Sequence, residues 1–253
     1  LSTKAAQSTP LDLIIWPETI TASQNLKFTD FMKKMLKLSN HYNTAFILGT
    51  PRKKEKKYYN SAVFLHKNAI HYYDKIFLMP FGEYWPFKSI FTFFKLNNII
   101  PGSEFKKGKI TTPFYLNNIK LAPGICLETT VPQFYRKHAQ QDHDVLISLV
   151  NNGWFKTTSI AERQFQMLQF RSIETGLPSI QSSNFGISGI IDAKGKTITK
   201  LPKFTHDYLT HTLTISKIKT PYTTLGNLII LLSFLCILIK MTRFRIRNVF
   251  TWL

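Results

Sequence analysis

From Pro221 to Ile239 the chain carries no charged side chain, and from Leu228 to Ile239 only Ser233 and Cys236 break a run of Leu, Ile and Phe. As one helix those residues would be roughly 28 Å long, close to the hydrocarbon thickness of a bilayer. A buried core helix is the alternative, but it is usually shorter or shows a polar stripe. The pattern therefore predicts a transmembrane helix over residues 220–240. Lys240, Arg243, Arg245 and Arg247 follow directly. Basic residues flanking a span stay in the cytoplasm, so residues 241–253 are expected to form a cytoplasmic basic tail, with residues 1–219 on the other side as one domain. Cys236 falls at mid-span with no charged neighbour to lower its pKa, and is read as inert packing.

A domain that must be exported needs a leading signal. Leu1-Ser-Thr-Lys-Ala-Ala-Gln has no apolar stretch and no initiating Met, so an N-terminal part is expected to be missing from this chain. In 253 residues, 44% are hydrophobic and 14% aromatic, enough for a sizeable core and too many for wholesale disorder. Two cysteines, Cys126 and Cys236, cannot make a disulfide framework. The formal charge of +19 invites a nucleic-acid reading, carried mainly by the run from Arg52 to Lys57. That run lies between two strand-like segments, at the tip of a hairpin. A solvated loop, or contact with anionic lipid head groups, is expected there. No nucleic-acid-binding motif accompanies it, so no nucleic-acid partner is assigned.

Residues 1–220 alternate helix and strand signals. Leu11–Trp16, between Pro10 and Pro17, reads as a buried strand. Phe28, Phe31, Met32, Met35 and Leu38 recur at helical spacing. Strands are expected at Ala45–Gly49, Tyr58–His66, Ala69–Ile76, Ile119–Cys126, Asp144–Val150, Pro178–Asn184, Gly186–Asp192 and Leu209–Ile215. Helices are expected at Thr130–His138 and Ala161–Ile173. This mixture predicts a layered α/β sandwich. The Phe-rich stretch from Phe87 to Ile100, with Phe87, Phe91, Phe93 and Phe94, fits either core packing or an arm dipping into lipid.

No G-x-S-x-G elbow, P-loop or G-x-G-x-x-G is present. Three His pairs are spaced five apart: His66/His71, His138/His143 and His206/His211. That spacing diverges on strand and helix alike, so no metal site is expected. The remaining candidates end apolar strands: Glu18 after Leu13-Ile-Ile-Trp-Pro, Lys75 after Ile70-His-Tyr-Tyr-Asp, and Cys126 after Leu121-Ala-Pro-Gly-Ile, with Glu128 two residues on. A Glu and a Lys in such surroundings must find partners if buried. A buried Glu–Lys salt bridge beside an unreactive Cys satisfies that need as well as a catalytic set does.

Motifs weigh on the choice. W-P-E-T at 16–19, Y-D-K at 73–75, P-F-G-E at 80–83 and G-I-C-L-E at 124–128 resemble the nitrilase superfamily. K-I-F-L-M-P-F-G-E-Y-W-P-F at 75–87, N-N-G-W-F at 151–155, R-S-I-E at 171–174 and T-P-Y-T-T-L-G-N at 220–227 resemble its integral-membrane branch, the apolipoprotein N-acyltransferases. The resemblance implies an α-β-β-α sandwich followed by one membrane helix, at the bacterial inner membrane with the catalytic domain on the periplasmic side. It implies Cys126 as the nucleophile that takes an acyl chain as a thioester, Glu18 as general base and Lys75 as the cation facing the oxyanion. Glu83 and Glu128 would support the site, and the backbone N–H of Leu127 would be a second oxyanion donor. Donor and acceptor would be phospholipid and a diacylglyceryl-cysteine apolipoprotein, with no cofactor and no metal. Asn152, Gln164 and Gln181 stand where Asp, His and Arg are usual in that branch, and Leu127 where an aromatic is usual. The branch also has a helix bundle and a first strand ahead of W-P-E, so the 253-residue chain by itself is expected to be a poor enzyme. Two other readings stay open: an inactive membrane-anchored remnant, and an amidase or nitrilase acting on a small carbon–nitrogen bond.

Overall fold

Side-chain alternation along two strands sets the layering. In β2 (Ala45–Lys54) and β3 (Lys57–His66), Ala45, Ile47, Ala62 and Phe64 are buried on one face, while Phe46, Leu48, Val63 and Leu65 are buried on the other. A sheet apolar on both faces must be covered on both. The computed structural model, which describes residues 1–20, 28–94, 104–109, 113–155 and 158–249, shows how this is met. After a short helix α1 (Ser2–Ser8), β1 (Leu13–Ile15) pairs parallel with β2, and β4 (Ala69–Asp74) pairs antiparallel with β3, giving the order β1-β2-β3-β4. Helix α2 (Phe28–Tyr42) seats Met32 and Met35 on the outer face. The side chain of Phe28, predicted on the same stripe, lies outside the described residues.

The inner face meets a second sheet of six strands. It comprises β5 (Phe114–Leu116), β6 (Ile119–Ile125), β7 (Val145–Asn151), β8 (Ser179–Asn184), β9 (Ser188–Ile191) and β10 (Thr197–Leu201), in the order β10-β9-β8-β7-β6-β5. Its centre, β6-β7-β8, is parallel. Helices α4 (Pro132–Gln140) and α5 (Ile160–Thr175) bring Phe134, Tyr135, Phe165 and Leu168 into the same core as the facing strand residues. The result is the α-β-β-α sandwich expected from the sequence. In helix α3 (Lys88–Phe93) the described side chains, Lys88, Ser89, Thr92 and Phe93, are all exposed. Phe87, Phe93 and Phe94 are exposed, Phe93 by 81%, which excludes core packing for those three. The side chain of Phe91 and all of residues 95–100 lie outside the described residues.

Three local expectations are corrected. Leu209–Ile215 is not a strand: the segment runs without ladder pairing as a strap. Lys217 ties the strap's end to Asp142 and Asp144, and the Ile218 N–H bonds the Gly176 carbonyl. Arg52 is not a solvated loop residue. The turn proper is Glu55-Lys56, both at positive φ, and Arg52 pairs with Asp74 at 2.7 Å under the Tyr72 ring. His138 and His143 meet at 3.3 Å despite their spacing, because the chain turns after Gln140.

The larger correction concerns the membrane helix predicted over 220–240. The uncharged run is not one helix. It opens as α6 (Pro221–Leu225), stops at Gly226 (φ 58°, ψ −127°) and resumes as α7 (Leu228–Val249). The first piece is held against the domain: Arg136 donates to the carbonyls of Tyr222, Thr223 and Thr224, and Gln140 to that of Thr223. Only Leu228–Ile239 is left as uncharged helix before Lys240, about 18 Å against a hydrocarbon core of about 30 Å. Among the described residues no helix is long and apolar enough to cross a membrane. Ile230, Leu231, Phe234 and Ile237 are exposed on α7, and so is Cys236, which is therefore not the packed thiol expected.

Candidate active site

Three strands of the sandwich end at one place. Glu18 follows β1 by three residues, Lys75 follows β4 directly, and Cys126 follows β6 directly. The loop bearing Glu18 is laced to β2 by bonds from Trp16 N–H to Ile47, from Gly49 N–H to Pro17 and from Ile20 N–H to Gly49. It lies so close that a Cβ at position 49 would stand 2.6 Å from the Glu18 Cα, so only glycine permits the approach.

Lys75 is 1% exposed, with Nζ 2.9 Å from Glu83 Oε2 and 3.6 Å from Glu18 Oε1. The Asn60 amide binds the two acids together, its Nδ2 donating to Glu18 Oε1 at 2.7 Å and to Glu83 Oε1 at 2.6 Å. The remaining oxygens are fixed by backbone: Asn151 N–H donates to Glu18 Oε2 and Met79 N–H to Glu83 Oε2. Burial raises the Glu18 carboxyl above its ordinary range, against the pull of Lys75. Burial alone would lower Lys75, but the charges of Glu18 and Glu83 outweigh it and keep the ammonium charged.

Cys126 sits at φ 49°, a left-handed conformation that disfavours L-residues by about 1–2 kcal/mol. It opens a short 3-10 helix, Cys126–Thr130, whose first backbone N–H groups, Leu127 among them, have no acceptor within the helix. Burial, then the Glu18 charge, push its thiol up to about 12, against the opposing effects of Lys75 and a hydrogen bond from Gln164. The thiol is therefore neutral near neutral pH and depends on a neighbouring base. Alkylation of Cys126 by iodoacetamide should accelerate about tenfold per pH unit from about pH 7 to about pH 10 without levelling off. A plateau near the ordinary thiol value of about 8.5 would contradict this.

Glu128 is fully buried. Its Oε1 accepts from the Tyr73 hydroxyl and the Ile76 and Phe77 N–H groups, and its Oε2 from Ile125 N–H. It thus joins the residue after Lys75 to the residue before Cys126, a positioning contact. Burial pushes its carboxyl up to about 7 in spite of these donors.

Of the six site residues read from the sequence, the structure brings Glu18, Lys75, Glu83 and Cys126 within mutual electrostatic reach, with Leu127 and Glu128 adjoining. Sequence reasoning missed Asn60, which its place as the lone amide among Tyr59, Ala62 and Val63 in β3 could have flagged. Gln164 and Asn152, noted only as departures, are linked to Cys126. Gln164 Nε2 lies 3.0 Å from the Cys126 carbonyl and 3.8 Å from Sγ, and Asn152 Nδ2 lies 2.9 Å from Gln164 Oε1. Gln181 bonds the Ile187 carbonyl instead.

A buried Glu–Lys pair beside a half-buried Cys, at the strand ends of a four-layered sandwich, is the frame on which cysteine-dependent cleavage and transfer at carbonyl carbon can be built. The chain belongs to the carbon-nitrogen hydrolase family, whose sequence profile matches residues 1–220. Among curated relatives it is similar to the apolipoprotein N-acyltransferase of Photobacterium profundum, 31% identical over 226 residues covering 85% of this chain and 44% of that protein. It is likewise similar to the enzyme of that name from Haemophilus influenzae, 32% identical over 86% of this chain and 44% of that protein. The chain therefore spans about half the length of the curated relatives it matches. Among solved structures, a carbon-nitrogen hydrolase from Helicobacter pylori shares the fold, with a TM-score of 0.62 at 20% identity over 79% of this chain and 77% of that one.

Proposed function

We propose that the protein carrying these residues is an N-acyltransferase. It would move a fatty acyl chain from phospholipid, through a thioester on Cys126, to the N-terminal amine of a diacylglyceryl-cysteine apolipoprotein. Residues 1–219 would be its catalytic domain, on the periplasmic side of the bacterial inner membrane. The observation that carries the reading is the convergence of a buried Glu18 and Lys75 with a half-buried Cys126 in one cluster. Its direction toward acyl transfer comes from the names of the relatives.

The chemistry proceeds in two balanced steps. Glu18 takes the Cys126 proton as sulfur attacks the ester carbonyl of the phospholipid. Lys75 Nζ and the Leu127 N–H face the oxyanion, a kind of contact worth about 3 kcal/mol per donor. The C–O bond breaks, Glu18 returns the proton to the departing oxygen, and lysophospholipid leaves. The apolipoprotein amine then attacks the thioester and its proton passes to Glu18. The C–S bond breaks and the thiol is restored. A thioester between these steps must be kept from water. The exposed Phe87, Phe93 and Phe94 and the apolar surface of α7 are suited to acyl chains and to a lipid boundary.

The test is an acyl-enzyme trap. Full-length protein incubated with phospholipid carrying labelled acyl chains should retain label on the Cys126 peptide, released by neutral hydroxylamine. Label on another residue, or none, would overturn the proposal.

A further inference from the structure

We propose that Gln164 is a positioning residue for Cys126, set by an uncharged relay that runs from Ser183 through Asn152. The inference rests on the reading of Cys126 as the acyl-carrying nucleophile.

An amide side chain has an acceptor end and a donor end, and here each acceptor is occupied. The Ser183 hydroxyl donates to Asn152 Oδ1 at 2.9 Å, with the Asn184 carbonyl a longer alternative at 3.3 Å. With Oδ1 so engaged the Asn152 NH₂ faces Gln164 Oε1, and the Gln164 NH₂ faces the Cys126 carbonyl, which can only accept and so fixes the sense of the whole relay. Reversing either amide would set oxygen against oxygen. Asn152 is 3% and Gln164 6% exposed, so water offers little compensation. The relay also has a fitted wall. A Cβ at Gly186 would stand 2.0 Å from Asn152 Oδ1 and 2.3 Å from Ser183 Oγ.

The consequence falls on two atoms at once. The Cys126 carbonyl and the Leu127 N–H belong to one planar trans peptide and point in opposite directions. Gln164 binding the carbonyl therefore aims the Leu127 N–H, the second oxyanion donor of the proposed mechanism. It also supports the left-handed turn that presents Sγ. No member of the relay titrates in the physiological range, so it adds no pH dependence of its own.

Single-turnover thioester formation from phospholipid, followed from about pH 5 to about pH 9 in the full-length protein, tests this. Gln164→Leu should slow the step about tenfold, as for one lost hydrogen bond, with KM for phospholipid unchanged. Gln164→Glu provides the signature. Protonated, it can still donate to the carbonyl; ionised, it cannot, and it sets a charge beside the thiol. Its rate should fall as pH rises, where the wild-type rate rises. Ser183→Ala, which touches neither Gln164 nor Cys126, should slow the step by a smaller factor, and it serves if the Gln164 variants fail to fold. Wild-type rates in folded Gln164→Leu, or in Ser183→Ala, would overturn the relay. Absence of any thioester in the wild-type protein would instead overturn the assignment of Cys126.

Discussion

Cys126→Ala in the full-length protein is expected to abolish acyl-enzyme formation and to lower acyl transfer more than about a thousandfold, since no other group at the site can hold the chain covalently. The loss should come without unfolding. Alanine keeps the backbone carbonyl that Gln164 binds, and the turn is secured on both sides by Glu128. Cys126→Ser should be nearly as inactive. A hydroxyl is harder to ionise than a thiol in surroundings that already push the thiol up to about 12. Any adduct it forms would be an oxygen ester that neutral hydroxylamine leaves in place. Mass spectrometry of the intact protein after exposure to phospholipid distinguishes these outcomes.

Lys75→Met should damage both the reaction and the fold. Lys75 is the only cation in contact with Glu18 and Glu83 among the described residues, and Asn60 holds both acids by the same nitrogen. Removing one partner of a buried ion pair leaves uncompensated charge, at a cost of about 3–5 kcal/mol. The acids can relieve this by taking up a proton, which gives the effect a sign. Glu18 is already raised by burial, and without Lys75 its folded value rises further above that of the unfolded chain. A carboxyl that binds its proton more tightly when folded contributes stability below its unfolded value of about 4.5, lost as pH rises through its folded value. The variant's melting temperature should therefore fall, relative to wild type, between about pH 5 and about pH 8. Thermal melts at those two values check it, and an unchanged difference would show that Lys75 does not neutralise the acids. Acyl transfer should drop at least about a hundredfold through loss of the oxyanion's counter-charge.

What could be read from the sequence follows from where the physics is local. Strands such as Ala45–Gly49 and Asp144–Val150 announce themselves by mostly apolar runs, and the placement of Glu18, Lys75 and Cys126 at the ends of strand-like segments is visible because strand ends are short-range features. Thr197–Leu201 gives no strand signal, because an edge strand with exposed Ile198 and Lys200 carries no burial pattern of its own. Leu209–Ile215 misled for the opposite reason: its alternation suits a strand, but strand structure needs a partner, and partners are set by tertiary contacts. The break at Gly226 depends on Arg136 reaching across some ninety positions to the α6 carbonyls, which no window of hydropathy can register. Likewise, Asn152 and Gln164 look like losses of charge until Ser183 is seen to complete their hydrogen bonding.

The central claim is that Cys126 carries an acyl group from lipid to an amine. The most direct test starts from protein already acylated at Cys126 and freed of phospholipid, then adds a diacylglyceryl lipopeptide with a free α-amine, or the same peptide with that amine acetylated. The account predicts rapid discharge of label onto the free amine as an amide, and slow release with the blocked peptide. Equal release of free fatty acid with both peptides would mean that water is the acceptor, and would contradict an N-acyltransferase.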